Sequence, residues 1–500
     1  MIKIKIVFII SVLTALFVRS SDAQTVFSTY QQFKDTLSVL SAIAVTSERN
    51  ARLTTFWNGL KTQNQIPFKI GNQVAFLYRG TASTVAVAGD FTSFWSKSVN
   101  FVKVGISDIW IYETVFPLDA RLDYQLIVNS SWMLDPNNPF KQMGGYGYNS
   151  EIRMPDYKPS EWVTLKPGIS RGKFGSNIKI NSTNLGYSVN YRVYTPAGYD
   201  SLSNLPVIYV TDGHEYSNDA MGSMIIVLDN LIAMKKIKPV MAVFIDPRNT
   251  SSGDNRRMTE YNCNDKYTAF VCDELVPSVD GAYKTKNEPE SRAILGTSMG
   301  GLISAWFGGT RSDKFRLVGI NSPAFWYNSA VYNPFKGEKL PLKIIMTTGV
   351  INDTEPEARL METTYFKAKG YEYSFLEVNE SHSWGNWRAL LDDVLIYFWP
   401  YDSQVSVESK IEKPSQLSVS AYPNPFNPET TIRILAPESG MATLEVLNVL
   451  GQQVDLKRTI QLQSGENKFN WTGSNLPSGL YFLRVSQKQS ESILKLNLLK

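Results

Sequence analysis

The chain has 500 residues, a hydrophobic fraction of 43% and a formal net charge of +4. That supplies apolar material for about three domains at roughly 100–200 residues each. The near-balanced charge, with no Lys/Arg cluster interleaved with aromatics, excludes nucleic-acid binding from the expected roles, while 12% aromatic residues suit β-rich domains and surfaces that hold sugar or aryl rings.

Residues 1–23 read as a secretory signal. Lys3 and Lys5 form its positive end, residues 6–18 are an apolar run too short for a comfortable membrane span, and Ser21 and Ala23 offer small side chains at a cleavage site. No other stretch is long and apolar enough to span a bilayer, so the exported chain is expected to carry no transmembrane segment. Residues 24–65 form a helical segment, with Phe33, Leu37, Leu40, Ile43 and Ala44 at three-and-four spacing. From 66 to 156 the period changes. Residues 74–78, 84–88, 109–115 and 123–128 alternate and are broken by turn residues, which predicts a β-sandwich. A connector with Pro155 ends it.

Residues 157–401 read as an α/β domain. Antiparallel strands at 177–180 and 187–194 precede continuous apolar runs at 205–210 and 240–245, which suit strands buried on both faces of a parallel sheet. An amphipathic helix at 219–235 joins these two runs into a β-α-β unit. Cys263 and Cys272 are the chain's two cysteines, and their spacing leaves open whether they pair. Two cysteines without a nearby histidine make no metal site, and no cofactor is expected.

The chemistry centres on Gly296-Thr-Ser298-Met-Gly300, a short strand, a Gly-x-Ser-x-Gly turn and a helix. Small residues flank the serine because the strand reverses sharply into the helix. A serine hydroxyl needs a base to take its proton, and a carboxylate to orient that base. Only two histidines exist, His214 and His382, and only His382 follows the serine. Asp353 lies between them in chain order, on a turn after the strand-like run from 342, with Glu355 and Glu357 close enough to compete. The order Ser298, Asp353, His382 is the one an α/β-hydrolase uses. The oxyanion-hole donors are expected to be the N–H of Met299 and that of Gly213 or His214, in the loop leaving the 205–210 strand. Arg256 and Arg257 are candidate anion-binding residues, with a structural pairing to Glu260 as the alternative. Trp384, two residues after His382, is a candidate substrate contact. Glu274 sits in an apolar helix and reads as a structural hydrogen-bond acceptor.

Residues 402–416 are a polar linker. Residues 417–500 alternate again, with turn residues between short runs, and predict a second small β-sandwich.

Three resemblances attach to these motifs. Gly296-Thr-Ser-Met-Gly-Gly301, Tyr209-Val-Thr-Asp-Gly-His214, Glu274-Leu-Val-Pro277 and His382-Ser-Trp-Gly-Asn-Trp387 together resemble the Putative esterase family, over roughly residues 160–400. That family groups enterochelin (siderophore) esterases, feruloyl and acetylxylan esterases, and S-formylglutathione hydrolases. The resemblance implies an α/β-hydrolase fold and a triad of Ser298, Asp353 and His382. Val85-Ala-Val-Ala-Gly-Asp-Phe91, Trp95, Trp132 and Asp135-Pro-Asn-Asn-Pro139 are similar to immunoglobulin-like glycogen-binding modules, which would make Trp95 and Trp132 sugar platforms. The alternative is that they shape the mouth of the neighbouring site. Ala421-Tyr-Pro-Asn-Pro-Phe-Asn-Pro428 and Gly479-Leu-Tyr-Phe-Leu-Arg-Val485 resemble the C-terminal sorting domain of the type IX secretion system. It implies passage through the periplasm to the cell surface or medium, with that machinery as a partner.

The fold expected is thus an α/β-hydrolase flanked by an N-terminal immunoglobulin-like sandwich and a C-terminal small sandwich. The function expected is a secreted serine esterase acting on feruloyl or acetyl esters of polysaccharide. A siderophore esterase is the alternative within the class, and a non-catalytic glycan-binding surface protein the alternative outside it.

Overall fold

The computed structural model describes residues 27–401, 417–488 and 490–500. The expected signal at 1–23 and linker at 402–416 lie outside the described residues. The chain divides into two compact units, one ending at Asp402 and the other beginning at Ser403.

The first unit opens with two helices, Tyr30–Ser41 and Thr46–Thr62, where the sequence periodicity suggested one. The Thr29 hydroxyl caps the first by accepting the Gln32 N–H. Arg49 of the second reaches back to the carbonyls of Ile43 (2.6 Å) and Ala44 (3.3 Å), satisfying the corner between them.

Ten strands follow: β1 (Phe68–Ile70), β2 (Gln73–Arg79), β3 (Val85–Gly89), β4 (Val99–Asn100), β5 (Val102–Lys103), β6 (Ile109–Val115), β7 (Arg121–Val128), β8 (Ser131–Met133), β9 (Lys141–Gly144) and β10 (Gly147–Arg153). They form two sheets, β1-β2-β6-β5 and β4-β3-β7-β10-β9, with β8 on β7. Alternation along β2 explains the layering. Ala75 and Leu77 face Phe33, Leu53 and Phe56 of the helices, whereas Val74 and Phe76 meet Val85, Leu122 and Tyr124 of the second sheet. The result is a sandwich covered on one outer face by the two helices.

The central sheet contains β11 (Lys173–Phe174), β12 (Ile178–Asn181), β13 (Ser188–Thr195), β14 (Val207–Val210), β15 (Met241–Asp246), β16 (Arg292–Thr297), β17 (Leu317–Asn321), β18 (Lys343–Gly349) and β19 (Glu372–Val378). Its order is β11-β13-β15-β14-β16-β17-β18-β19, with β12 beside β13. From β15 to β19 the pairing is parallel, and at β13 it is antiparallel. Successive residues of one strand enter opposite cores: Val207 and Tyr209 pack with helix Met299–Thr310, and Ile208 and Val210 pack with helices Met224–Ala233 and Leu391–Phe398. This is the α/β-hydrolase arrangement. Helix Met224–Ala233 is buried nearly all round rather than amphipathic. The turn Glu161–Val163 and the helix Leu391–Phe398 cover the side that the sheet leaves free.

Cys263 and Cys272 are free thiols. Burial pushes both up to about 12, so neither supplies a reactive thiolate.

The second unit has a three-stranded sheet, Ser418–Tyr422, Glu429–Ala436 and Gly465–Thr472, and a four-stranded one, Gln453–Leu462, Gly440–Leu447, Gly479–Gln487 and Ser490–Leu498. Ile432, Ile434, Leu444, Val446, Leu483 and Leu496 close a core of their own.

Candidate active site

Ser298, Asp353 and His382 follow the carboxyl ends of the parallel strands β16, β18 and β19, the place where open α/β sheets hold their ligands. Ser298 leaves β16 with φ 60° and ψ −119°, a strained elbow that no helix or strand continues through. The crowding explains the glycines. A Cβ on Gly296 would lie 2.2 Å from Thr211 Oγ1 and 2.3 Å from the Gly300 carbonyl oxygen, and one on Gly300 2.4 Å from Thr211 Oγ1. Ser298 N–H donates to the Asn321 carbonyl (3.0 Å), and its own carbonyl accepts from Leu302 (3.0 Å) and Ala324 (2.9 Å).

His382 comes from the loop between β19 and helix Trp384–Ala389. Its Nε2 lies 2.9 Å from Ser298 Oγ, and its Nδ1 lies 2.7 Å from Asp353 Oδ1. A carboxylate only accepts, so Nδ1 carries the proton and Nε2 is left to accept from the serine hydroxyl. Asp353 Oδ1 also accepts from Thr354 N (2.8 Å), and Oδ2 accepts from Gly349 N (2.7 Å) and Ser322 Oγ (2.6 Å). Burial alone would raise this carboxyl. The His382 ring and the Ser322 and Gly349 hydrogen bonds outweigh it and hold it below the ordinary carboxylate range. Glu355, one of the two competing carboxylates, is paired with Arg359 instead. The imidazole is fixed by two aromatic edges, Phe94 at 5.5 Å and Trp387 at 4.9 Å between ring centroids. Trp387 is itself pinned by its indole N–H to Ser322 Oγ (2.9 Å).

Met299 opens helix Met299–Thr310, placing its N–H among the first-turn donors beside the serine. Gly213 begins the short helix Gly213–Tyr216 after β14, with its α-carbon against the Phe244 backbone. The His214 side chain points elsewhere. Its Nδ1 is 3.6 Å from Asp246 Oδ1, in a second cavity of about 340 Å³ shared with Arg248, and burial lowers its affinity for a proton.

The serine and histidine open into a cavity of about 690 Å³. Trp384, Trp387, Glu215, Asn255 and Arg257 line one side. The sandwich builds the other, through Asp90, Phe94, Trp95, Asp123, Trp132 and Tyr146. Ser93, Phe94 and Trp95 hold successive positive φ values of 52°, 50° and 63°, a run that costs non-glycine residues energy. The Thr92 N–H and the Trp95 indole secure it, the latter on Asp90 Oδ1 at 2.9 Å. Trp95 and Trp132 stack at 6.4 Å, and Trp132 remains 54% exposed.

Of the two candidate anion-binding arginines, only Arg257 reaches the cavity, and it is held by Asp212 in two hydrogen bonds of 3.1 Å. Arg256 stacks on the Tyr187 ring at 3.7 Å and is not among the residues that line this cavity. Glu260 accepts from the Tyr187 hydroxyl (2.7 Å) rather than pairing with either arginine. Glu274 accepts the N–H groups of Thr183 (3.0 Å) and Asn184 (3.1 Å), a structural role. Glu215, Asp90 and Asp123 were not singled out from the sequence. Burial and the nearby Asp212 push Glu215 up to about 7 against a hydrogen bond from Trp384. Its only sequence signal is its place beside His214. Among the described residues no group of three or more His, Cys, Asp or Glu is placed to hold a metal ion.

Known proteins share this fold and its flanking domain. Residues 182–398 match the model of the Putative esterase family, and residues 420–498 that of a secretion system C-terminal sorting domain. An endo-1,4-beta-xylanase/feruloyl esterase of Xylanibacter ruminicola is 24% identical over 296 residues, covering 57% of this chain and 39% of that protein. An iron(III) enterobactin esterase of Escherichia coli O6:H1 is 24% identical over 240 residues, covering 47% of this chain and 56% of that protein. The chain thus spans well under two thirds of the length of these curated relatives. Among solved structures, the ferric enterobactin esterase of Salmonella typhimurium superposes with a TM-score of 0.57 at 19% identity, covering 67% of this chain and 95% of that one. The enterobactin esterase of Shigella flexneri gives 0.55 at 21%, covering 65% and 92%. Residues 182–398 thus match the Putative esterase family on an α/β-hydrolase fold, and residues 420–498 match a sorting domain that marks the chain for export.

Proposed function

We propose that the protein is a secreted serine carboxylic-ester hydrolase that cleaves carbohydrate-linked esters, feruloyl or acetyl, of plant polysaccharide. The observation that carries the chemistry is the continuous hydrogen-bonded chain from Ser298 through His382 to Asp353 at the rim of a cavity. Ser298 Oγ attacks the ester carbonyl while His382 Nε2 takes its proton, and Asp353 stabilises the imidazolium. The Met299 N–H and that of Gly213 or His214 receive the oxyanion, each donor being worth about 10²–10³ in rate. His382 then protonates the departing alcohol, and a water activated by the same ring releases the acyl group.

The cavity wall supports this substrate class. Trp95, Trp132 and Tyr146 offer ring faces of the kind that stack on sugar or aryl groups. Glu215 adds an acceptor, and the Arg257 guanidinium is already committed to Asp212. Such a wall disfavours an anionic ferric catecholate and accepts a neutral sugar ester. Export by the secretion machinery, through residues 420–498, takes the chain to where polysaccharide is met.

The test is hydrolysis by the full chain of a feruloylated arabinoxylan fragment, acetylated xylan and a tri-catecholate siderophore, each beside Ser298→Ala. A Ser298-dependent rate on either of the first two supports the proposal. Turnover of the siderophore alone makes this an iron-acquisition enzyme. Retention of glycan with no ester turnover by the parent makes it a binding protein.

A further inference from the structure

We infer that Arg121, a sandwich residue, is a positioning residue for His382, so that the sandwich is part of the scaffold of the reaction centre and not only a wall of its pocket. The inference rests on the reading of His382 as the base.

Arg121 opens β7 and is 1% exposed. It grips the histidine loop on both sides of the imidazole. Before it, the Arg121 N–H donates to the Asn379 carbonyl (3.3 Å), and Nη1 lies 3.5 Å from Glu380 Oε2. After it, Nη1 donates to Ser383 Oγ (2.8 Å). The fit is tight enough to dictate the next residue, since a Cβ on Gly385 would lie 1.9 Å from the guanidinium carbon. On its other edge Nη2 is hydrogen-bonded by Asp123 and by Glu151 (3.3 Å), which fix it to the sandwich. A second tie runs from Asn379 Nδ2 to Asp119 Oδ1 (2.8 Å). The Asp353 loop leans on the same body, with Asn352 Nδ2 donating to the Asp90 carbonyl (2.8 Å) and Ile351 packed against the sandwich core.

Ser298 needs no such help, because its elbow is set by its own strand and helix. His382 and Asp353 sit on irregular loops whose outer contacts belong to β3, β7 and the turns beside them. Stability is a poor reason for so buried a guanidinium, since apolar replacements of buried ion pairs are often neutral or stabilising. A rigid planar fork that bonds in several directions at once is well suited to fixing register.

The experiment compares Arg121→Gln, Ser383→Ala and Ser298→Ala with the full-length parent. Two probes are used, 4-nitrophenyl acetate turnover and labelling of Ser298 by a fluorophosphonate. Displacing a catalytic group by about 1 Å costs on the order of 10²-fold. Arg121→Gln is therefore expected to lower kcat at least thirtyfold, with KM within twofold and labelling slowed in parallel. Ser383→Ala keeps the buried charges and removes one tether, and is expected to lose three- to tenfold in kcat with a parental melting curve. A folded Arg121→Gln that turns over and labels at the parental rate overturns the inference. Should Arg121→Gln fail to fold, parental kcat and labelling in Ser383→Ala overturn it instead. A parent that labels no faster than Ser298→Ala overturns the functional reading, a distinct result.

Discussion

Replacing Asp353 by Asn is the most searching test of the assigned chemistry, because the side chain keeps its shape and loses only its charge and half its accepting capacity. The carboxylate accepts four hydrogen bonds, from His382 and Thr354 at Oδ1 and from Gly349 and Ser322 at Oδ2. An amide satisfies them in neither orientation. With its NH₂ at the Oδ2 position it faces the Gly349 N–H, another donor. With its NH₂ at the Oδ1 position it faces the Thr354 N–H and also donates to His382 Nδ1. That second arrangement drives the imidazole proton onto Nε2, where it opposes the Ser298 hydroxyl, and removes the base. The rate loss expected for a wrong tautomer is about 10⁴ in kcat, or about 5.4 kcal/mol of barrier at about 1.36 kcal/mol per tenfold. Stability should fall far less, by about 1–3 kcal/mol for one unsatisfied buried donor. The assay is steady-state hydrolysis of 4-nitrophenyl acetate together with thermal unfolding by circular dichroism. A folded Asp353→Asn within tenfold of the parental kcat refutes the assignment and moves the orienting acid elsewhere.

Trp132→Ala should raise KM for a feruloylated oligosaccharide about twofold to twelvefold more than for an aryl acetate, from a stacking contribution of roughly 0.5–1.5 kcal/mol at about 1.36 kcal/mol per tenfold; equal effects on the two substrates would remove the platform role. Gly296→Ala sets a Cβ 2.2 Å from Thr211 Oγ1 and 2.3 Å from a backbone oxygen, so its unfolding free energy should fall by more than the about 1–3 kcal/mol of ordinary overpacking, with a lowered melting midpoint; a parental midpoint would contradict the geometry of the elbow. Burial pushes Glu380 up from 4.5 to about 7, with Arg121 pulling the other way. The folded state therefore holds a proton that the unfolded chain has released, and this contribution is full below about 4.5 and is lost as pH rises through about 7. Melting curves from pH 5 to 8 should show a decline that Glu380→Gln flattens; identical slopes would reject it.

The features readable in the sequence are the ones with a local cause. Ser298 stands between glycines that a strand-to-helix reversal requires, and His382 is one of only two histidines. The strands of the central sheet announce themselves because both faces are buried. Asp353 could be narrowed only to a short acidic stretch, since which carboxylate turns inward depends on the hydrogen bonds of Gly349 and Ser322, supplied from two other strand ends. The two arginines show the same limit: adjacent in sequence, Arg256 and Arg257 part company because Tyr187 takes one and Asp212 the other, partners far away in the chain. Arg121 was invisible. In Ala120-Arg-Leu-Asp-Tyr124 it reads as an outward-facing charge, and one of its hydrogen-bond partners, Ser383, lies 262 residues away. The break between the first two helices was also missed, because Ile43 and Ala44 continue the apolar spacing through a corner that Arg49 seals.

The seam between the two layers makes ligand binding and cohesion one thermodynamic quantity. A molecule lying between Trp132 and His382 touches both bodies at once, so it binds only while they stay docked. By mass action a ligand at a hundred times its dissociation constant adds about 2.7 kcal/mol to the folded state. That increment acts on the whole assembly of residues 27–401. Calorimetry with and without an unreactive ester analogue should therefore show the sandwich and the hydrolase shifting together, as a single cooperative transition.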